Sequence, residues 1–226
     1  MAYTLRPAAA GDIDAVFALF EQRVDWMNRQ SIHQWNDTDY LNVYPKTYYQ
    51  QQRELGNLYV LADNTDGAVA GAVVLLQSDD RWLDRAGSPA YYVHNLVTDP
   101  AVRGAGRELL AQAERLAVGH GKRFMRLDCA VDNAFLNGYY ESMGYLPAGT
   151  CQDGPYQGNR REKALPVTES EKTGCGNAVL DTIFDRSSYR GAFRDIPVPR
   201  HDLELILKAG VAAPSGCNRQ TTAFVA

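Results

Sequence analysis

Residues 91–121 read YYVHNLVTDPAVRGAGRELLAQAERLAVGHG, and this stretch decides the fold. Tyr91–Val97 is aromatic and β-branched, the composition of a strand. Thr98-Asp99-Pro100 ends it, because proline cannot donate to a strand ladder. Apolar residues then recur at Leu109, Leu110, Ala113, Leu116 and Ala117, the spacing of a helix with one buried face. Gly119 and Gly121 close that helix. Between strand and helix stands Arg103-Gly104-Ala105-Gly106-Arg107-Glu108.

A small-residue loop entering a helix leaves the first-turn N–H groups unpaired at the positive end of the helix dipole. Glycines let a phosphate approach that backbone, and Arg103 and Arg107 add positive charge. The chemistry implied is pyrophosphate binding; an ordinary glycine-rich strand–helix connection is the plain alternative. A Walker A loop needs a Lys-Ser/Thr pair after its last glycine, where this chain has Arg107-Glu108. A dinucleotide fingerprint needs a third glycine where Leu109 stands, although Asp128 falls near the place of a ribose-binding acid.

Working outward, Tyr3–Arg6 reads as a first strand ended by Pro7. Ile13, Val16, Phe17, Phe20 and Val24 mark an amphipathic helix with Asp12 placed to cap it. A mixed polar and aromatic segment, Trp26–Trp35, follows, and Tyr40–Leu55 reads as one further helix. Leu58–Ala62 and Ala68–Leu76 form a hairpin about the turn at residues 63–67. Gln77–Pro89 reads as a polar loop carrying Trp82. Beyond the organising stretch, Arg123–Cys129 alternates as a strand, and Asn133–Met143 is a helix stopped by Gly144. Short strands near Tyr145–Thr150 and Arg161–Leu165 complete an α/β sheet protein. Residues 167–177 are polar and glycine-containing, a linker between residues 1–166 and residues 178–226.

The 226 residues suffice for one sizeable domain and an appendage. A net charge of −4 argues against a nucleic-acid surface. Cys129, Cys151, Cys175 and Cys217 form no CxxC pair, so neither a metal site nor a disulfide framework is predicted. The N-terminus lacks an apolar leader, and the longest apolar run, Ala68–Leu76, is too short to span a membrane. The expectation is a cytoplasmic protein that uses neither membrane nor nucleic acid.

Taken together, the element order over residues 1–166 resembles the GNAT N-acetyltransferases. The loop resembles that family's CoA signature, Gln/Arg-x-x-Gly-x-Gly/Ala, in Ala101-Val102-Arg103-Gly104-Ala105-Gly106, with Ala101 in the basic first position. Asn133, Tyr140-Glu141 and Gly144-Tyr145 match a second family pattern downstream. The resemblance implies a mixed, mostly antiparallel sheet flanked by helices, with a short, mainly helical C-terminal extension. It also implies acetyl-CoA as cosubstrate and direct attack by an amine acceptor.

On that resemblance Arg103, Gly104, Ala105, Gly106, Arg107 and Glu108 hold the pyrophosphate, and Asn133 belongs to the cofactor site. Backbone groups near Leu96 and Val97 hold pantetheine and polarise the thioester. Tyr140 meets the departing thiolate. A phenol titrates near 10 and a thiol near 8.5, so full proton transfer runs uphill by roughly 2 kcal/mol and Tyr140 acts by hydrogen bonding. Tyr139 is expected to be the packing residue of the pair. His94 is the candidate general base, with His33 an alternative. Asp128 reads as salt-bridged and Cys129 as a buried strand residue, while one or two of Trp26, Trp35, Trp82 and Tyr92 line the acceptor site.

The tail resembles the N-terminal part of an FMN-dependent nitroreductase. Arg186, Ser188 and Arg190 match a flavin-phosphate cluster, and Pro214, Ser215, Asn218 and Gln220 match a flavin-adjacent stretch. The expectation is a truncated segment that takes FMN only if completed, and a homodimer is left open. Two other readings are an incomplete bifunctional acetyltransferase–flavoprotein and a non-catalytic CoA sensor.

Overall fold

The computed structural model describes residues 2–30, 35–154 and 156–166, together with Arg200 and Glu204. The chain divides into two compact units, Met1–Gly176 and Asn177–Ala226. In the second, Arg200 and Glu204 are helical and form an ion pair at 3.2 Å.

The elements of the first unit are β1 (Tyr3–Pro7), α1 (Ile13–Arg29), α2 (Tyr40–Val43), α3 (Lys46–Glu54), β2 (Leu58–Asp63), β3 (Val69–Leu76) and β4 (Ala90–Thr98). They continue with α4 (Ala105–Gly119), β5 (Phe124–Ala130), α5 (Ala134–Ser142), β6 (Leu146–Asp153) and β7 (Tyr156–Ala164). The seven strands make one sheet in the order β1-β2-β3-β4-β5-β7-β6. Every neighbouring pair is antiparallel except β4 and β5. A parallel step needs a crossover, and α4 supplies it. This is the mixed, mostly antiparallel sheet expected from the sequence.

Each face of the sheet carries its own core. On one face Leu61, Val73, Leu75, Tyr91, Val93 and Met125 pack against Leu109, Leu110, Ala113 and Ala117 of α4. Leu109 and Leu110 are fully buried, worth about 2 kcal/mol each in removed apolar surface. On the other face Leu58, Val60, Ala72, Val74 and Val97 meet Val16, Leu19 and Phe20 of α1 with Tyr40 and Tyr49.

Strand β4 changes face partway along. Tyr91 and Val93 belong to the α4 side, yet Val97, of the same parity, belongs to the α1 side. The pairing with β3 shows why: His94 faces Val74 and Val97 faces Ala72, so Asn95 and Leu96 stand opposite Val73 alone. Asn95 lies in the left-handed region at φ 48°. An extra residue of this kind reverses the alternation of everything beyond it.

Several local readings are corrected. Helix α1 runs on through Trp26 to Arg29. Tyr40–Leu55 is two helices, because Pro45 forces its neighbour out of helical geometry and then starts α3. Asp12 does not cap α1 through its side chain. Its carboxylate accepts instead from the Ala9 N–H at 2.6 Å and from Arg6 at 2.6 and 2.9 Å. The loop at 77–89 holds a 3-10 helix, Asp80–Arg85, anchored by a fully buried Trp82. The last two strands are longer than predicted and form one hairpin.

Candidate active site

Strands β4 and β5 part company at the centre of the sheet. Their pairing runs from Ala90 opposite Phe124 to Tyr92 opposite Arg126 and stops there. Beyond that point β5 continues against β7, while β4 turns through its bulge toward Thr98. The gap between two diverging parallel strands presents β4 backbone groups near Leu96 and Val97 without a partner strand on that side. A narrow, extended ligand with amide groups fits such an edge, as an added strand would.

The gap leads to the start of α4. Gly104 is the residue before the helix, at φ +82°, a conformation that only glycine adopts without strain. No side chain caps the helix there. The Glu108 N–H already donates to the Gly104 carbonyl at 3.1 Å, and its carboxylate accepts from Gln112 at 2.7 Å. Open donors in this turn therefore come from residues before Glu108. Arg103 and Arg107 are exposed beside it, and the Arg107 guanidinium lies 5.9 Å from the centre of the Tyr139 ring. A β-carbon at Gly106 would stand 3.3 Å from the Tyr139 hydroxyl. These residues suit a pyrophosphate.

Tyr139 and Tyr140 differ in burial, and the more buried of the two is the one expected to meet the thiolate. Tyr140 is buried in the α4-side core between Tyr139 and Tyr145, with ring centres 5.6 and 6.0 Å away. Tyr139 is half-buried, with the exposed Phe135 stacked on it. Burial, reinforced by Cys129, Tyr139 and Asp128, pushes the Tyr140 phenol well above its ordinary value. Such a hydroxyl donates a hydrogen bond and keeps its proton.

Asn133 caps α5, accepting from the Leu136 N–H at 2.9 Å. One turn on, Asn137 is a polar hub that sequence reading missed. It donates to the Ala130 carbonyl at 2.9 Å and accepts from Asn159 at 2.9 Å and from Arg161 at 3.1 Å. It thereby ties α5 to β5 and β7 on the side where the strands diverge. A lone helical asparagine carries no signal of such a role.

On the opposite face of β4, His94 and Asp79 line a cleft of about 810 Å³. Arg81, Thr150, Cys151, Asp153 and Arg160 are among the other lining residues. His94 Nε2 lies 2.8 Å from Asp79 Oδ2, and both side chains are largely buried. Arg81 binds Asp128 at 3.2 Å and Asp153 at 2.7 Å, fastening the 3-10 segment to β5 and β6. Asp128 is thus salt-bridged as expected, and it also accepts from the Tyr156 hydroxyl at 2.6 Å.

Trp26, Trp35, Trp82 and Tyr92 are not among the residues lining this cleft. Trp82 and Tyr92 are core residues around the buried Arg126, whose guanidinium lies 5.3 and 5.6 Å from their rings. Trp35 stacks on Tyr40 at 4.5 Å, and Trp26 sits against Arg23 at 5.0 Å. Cys129 is buried as predicted, and burial pushes its thiol up against the pull of Arg161. Among the described residues no cluster of His, Cys, Asp and Glu could hold a metal ion. No helix among them is long and apolar enough to cross a membrane. His33 and the tail residues Arg186, Ser188, Arg190, Pro214, Ser215, Asn218 and Gln220 lie outside the described residues.

Comparison with known proteins agrees with this fold. A Bacillus subtilis (strain 168) protein described as an uncharacterized N-acetyltransferase, YesJ, is 26% identical over 155 residues, 66% of this chain and 84% of the relative. A GNAT-family acetyltransferase structure from Listeria monocytogenes 4b F2365 is 26% identical and superimposes with a TM-score of 0.62, over 72% of this chain and 95% of its own. The PaiA N-acetyltransferase of Thermoplasma acidophilum, solved in complex with coenzyme A, shares the fold at a TM-score of 0.56 and 16% identity, over 73% of this chain and 99% of its own. Residues 183–226 match the sequence model of the Nitroreductase family. The model of the Acetyltransferase (GNAT) family matches residues 29–145, more than half of the 226, and the chain belongs to that family of acyltransferases.

Proposed function

We propose that the chain is an acetyl-CoA-dependent N-acetyltransferase that moves an acetyl group to an amine of a small molecule or peptide. The observation that carries this reading is the parting of β4 from β5 after Tyr92 and Arg126, with the far end of β4 leading to the left-handed Gly104 that opens α4. Pantetheine lies along β4 at Leu96 and Val97, and the pyrophosphate meets the turn from Arg103 to Arg107. Asn133 serves the cofactor side by fixing the start of α5. The PaiA N-acetyltransferase, which shares the fold and was solved with coenzyme A, supports acetyl-CoA as the cosubstrate.

The amine attacks the thioester carbonyl directly. A C–N bond forms, the C–S bond breaks, and its electron pair leaves on sulfur. The Tyr140 hydroxyl donates a hydrogen bond to the developing thiolate, and His94 takes the proton that the amine must lose. The domain covers residues 1–166, with 167–177 as linker and 178–226 as a nitroreductase-like segment. The setting is a reducing cytoplasm, in keeping with the free thiols of Cys129 and Cys151.

The test is thiol release from acetyl-CoA in the presence of spermidine, kanamycin, L-lysine or a lysine-containing peptide. Release that depends on one of these amines, with its acetylated product identified by mass spectrometry, is the expected result. Acetyl-CoA binding in calorimetry with no amine acetylated would make the protein a CoA sensor instead. The family match at residues 183–226 supports a nitroreductase-like segment whose Arg186, Ser188, Arg190, Pro214, Ser215, Asn218 and Gln220 would take FMN only if the segment were completed, so the 226-residue chain should retain no flavin. Flavin absorbance after incubation with FMN and gel filtration tests it.

A further inference from the structure

We propose that Asp79 is the positioning residue of His94, fixing the imidazole as the Nε2–H tautomer so that Nδ1 is the proton acceptor in the cleft. The inference rests on the acetyl-transfer reading above and adds to it the group that makes His94 a base of defined geometry. It starts from the 2.8 Å contact between His94 Nε2 and Asp79 Oδ2. An ionised carboxylate only accepts hydrogen bonds, so the hydrogen of this contact belongs to Nε2. The neutral ring then has its lone pair on Nδ1.

Asp79 is ionised and immobile. Burial works against its charge, yet hydrogen bonds from His94 and from the Arg81 N–H outweigh burial and hold the carboxyl below the usual carboxylate range. The Arg81 N–H donates to Oδ1 at 2.9 Å, so the two carboxylate oxygens have separate partners. The segment bearing Asp79 cannot drift, because Trp82 is buried beneath it and Arg81 joins it to Asp128 and Asp153. His94 is equally fixed: it is the last residue of β4 paired with β3 before the bulge, opposite Val74. Asp79 and His94 both line the 810 Å³ cleft, which has room for an acceptor.

The proton is accounted for in one step. Nδ1 takes one N–H proton of the attacking amine as the C–N bond forms, and the imidazolium, held by the Asp79 carboxylate, later returns that proton to water. Acceptor binding does not need the pair; proton removal does.

Asp79→Asn in the full chain separates this role from a merely structural one. Asparagine caps a helical turn as well as aspartate does, so the Arg81 N–H keeps its partner. That bond claims the carbonyl oxygen and leaves the amide NH2 facing His94. The NH2 then donates to Nε2 and forces the Nδ1–H tautomer, which has no lone pair for the amine.

Two measurements decide. Nitrogen-15 histidine spectra, at a pH where His94 is neutral, should show Nε2–H in the wild type and Nδ1–H in Asp79→Asn. With the best acceptor among spermidine, kanamycin, L-lysine and a lysine-containing peptide, kcat should fall on the order of a hundredfold. The KM for acetyl-CoA should stay within about twofold. A wild-type Nδ1–H tautomer, or a kcat in the variant within about twofold of wild type, overturns the proposal. A large loss of kcat with an unchanged tautomer overturns it as well, since Asp79 would then act elsewhere. If the wild type acetylates none of the four amines, the acetyl-transfer reading fails separately, and the spectra still decide the state of His94.

Discussion

The side-chain amide of Asn95 donates to the hydroxyl of Tyr40 at 2.6 Å, while its carbonyl oxygen accepts from Tyr48 at 3.0 Å. These contacts hold a non-glycine residue at φ 48° in the middle of the central strand. Asparagine tolerates the left-handed region better than most residues, but the conformation still needs support from outside the strand. Tyr40 and Tyr48 supply it from α2 and α3, and the bulge they stabilise sends Val97 to the α1 side. Tyr40→Phe should therefore loosen β4 at the proposed thioester site. Removing the acceptor of the half-buried Asn95 amide should cost about 0.5–1.5 kcal/mol, read by urea denaturation, with faster hydrogen exchange at the amides of Asn95–Val97. Exchange as slow as in the wild type would mean that the bulge holds itself.

Gly106→Val should weaken acetyl-CoA binding by about an order of magnitude, because a branched side chain blocks the approach to the first turn of α4. The same change presses on the Tyr139 hydroxyl, 3.3 Å from the new β-carbon, which is the mobile end of a half-buried side chain. Calorimetric titration checks it, and an affinity equal to wild type in a folded variant would move the pyrophosphate elsewhere.

Tyr140→Phe should lower kcat and leave the affinity for acetyl-CoA nearly unchanged, since the hydroxyl matters only as charge develops on sulfur. The raised phenol adds a sign to this expectation. Tyr140 stays protonated through the ordinary basic range, so its hydrogen bond is not lost as pH rises from neutral. A basic limb of the pH–rate profile that vanishes in the Phe variant would contradict the raised phenol, and a wild-type kcat in that variant would return Tyr140 to a packing role.

Glu162→Gln should destabilise the whole first unit. Arg126 is fully buried and donates to Glu162 at 2.7 Å, to the Arg85 carbonyl at 2.9 Å and to the Tyr92 hydroxyl at 2.9 Å. Removing the partner charge leaves a buried guanidinium uncompensated, a loss of about 3–5 kcal/mol. Urea denaturation of Glu162→Gln, beside a double variant with Arg126→Met, checks it: the double variant should recover stability relative to the single one.

Much of this was legible in sequence because it is local. The helical spacing from Leu109 to Ala117 is one continuous face, and it is the face that packs on the sheet. The strand at residues 91–97, the hairpin at 58–76 and the helix after Asn133 each follow from a period and its punctuation. Pro45 shows the same rule overlooked: a proline inside a helical pattern divides it. Arg126 shows its limit. Alternation from Arg123 to Cys129 gives the strand, yet it does not show that Trp82 covers the face carrying Arg126 or that Glu162 neutralises the arginine from another strand.

The sequence by itself determined the strand–loop–helix at residues 91–121, the glycine start of α4 and the order of elements, because these depend on neighbours in the chain. The tertiary structure alone decided which distant side chains meet. Asp79 meets His94 only because a 3-10 segment is pinned by Trp82 and Arg81. Tyr40 reaches Asn95 from a helix 55 residues earlier. The bulge that reverses β4 is stabilised by contacts made across space, and a period read along the chain contains no term for them.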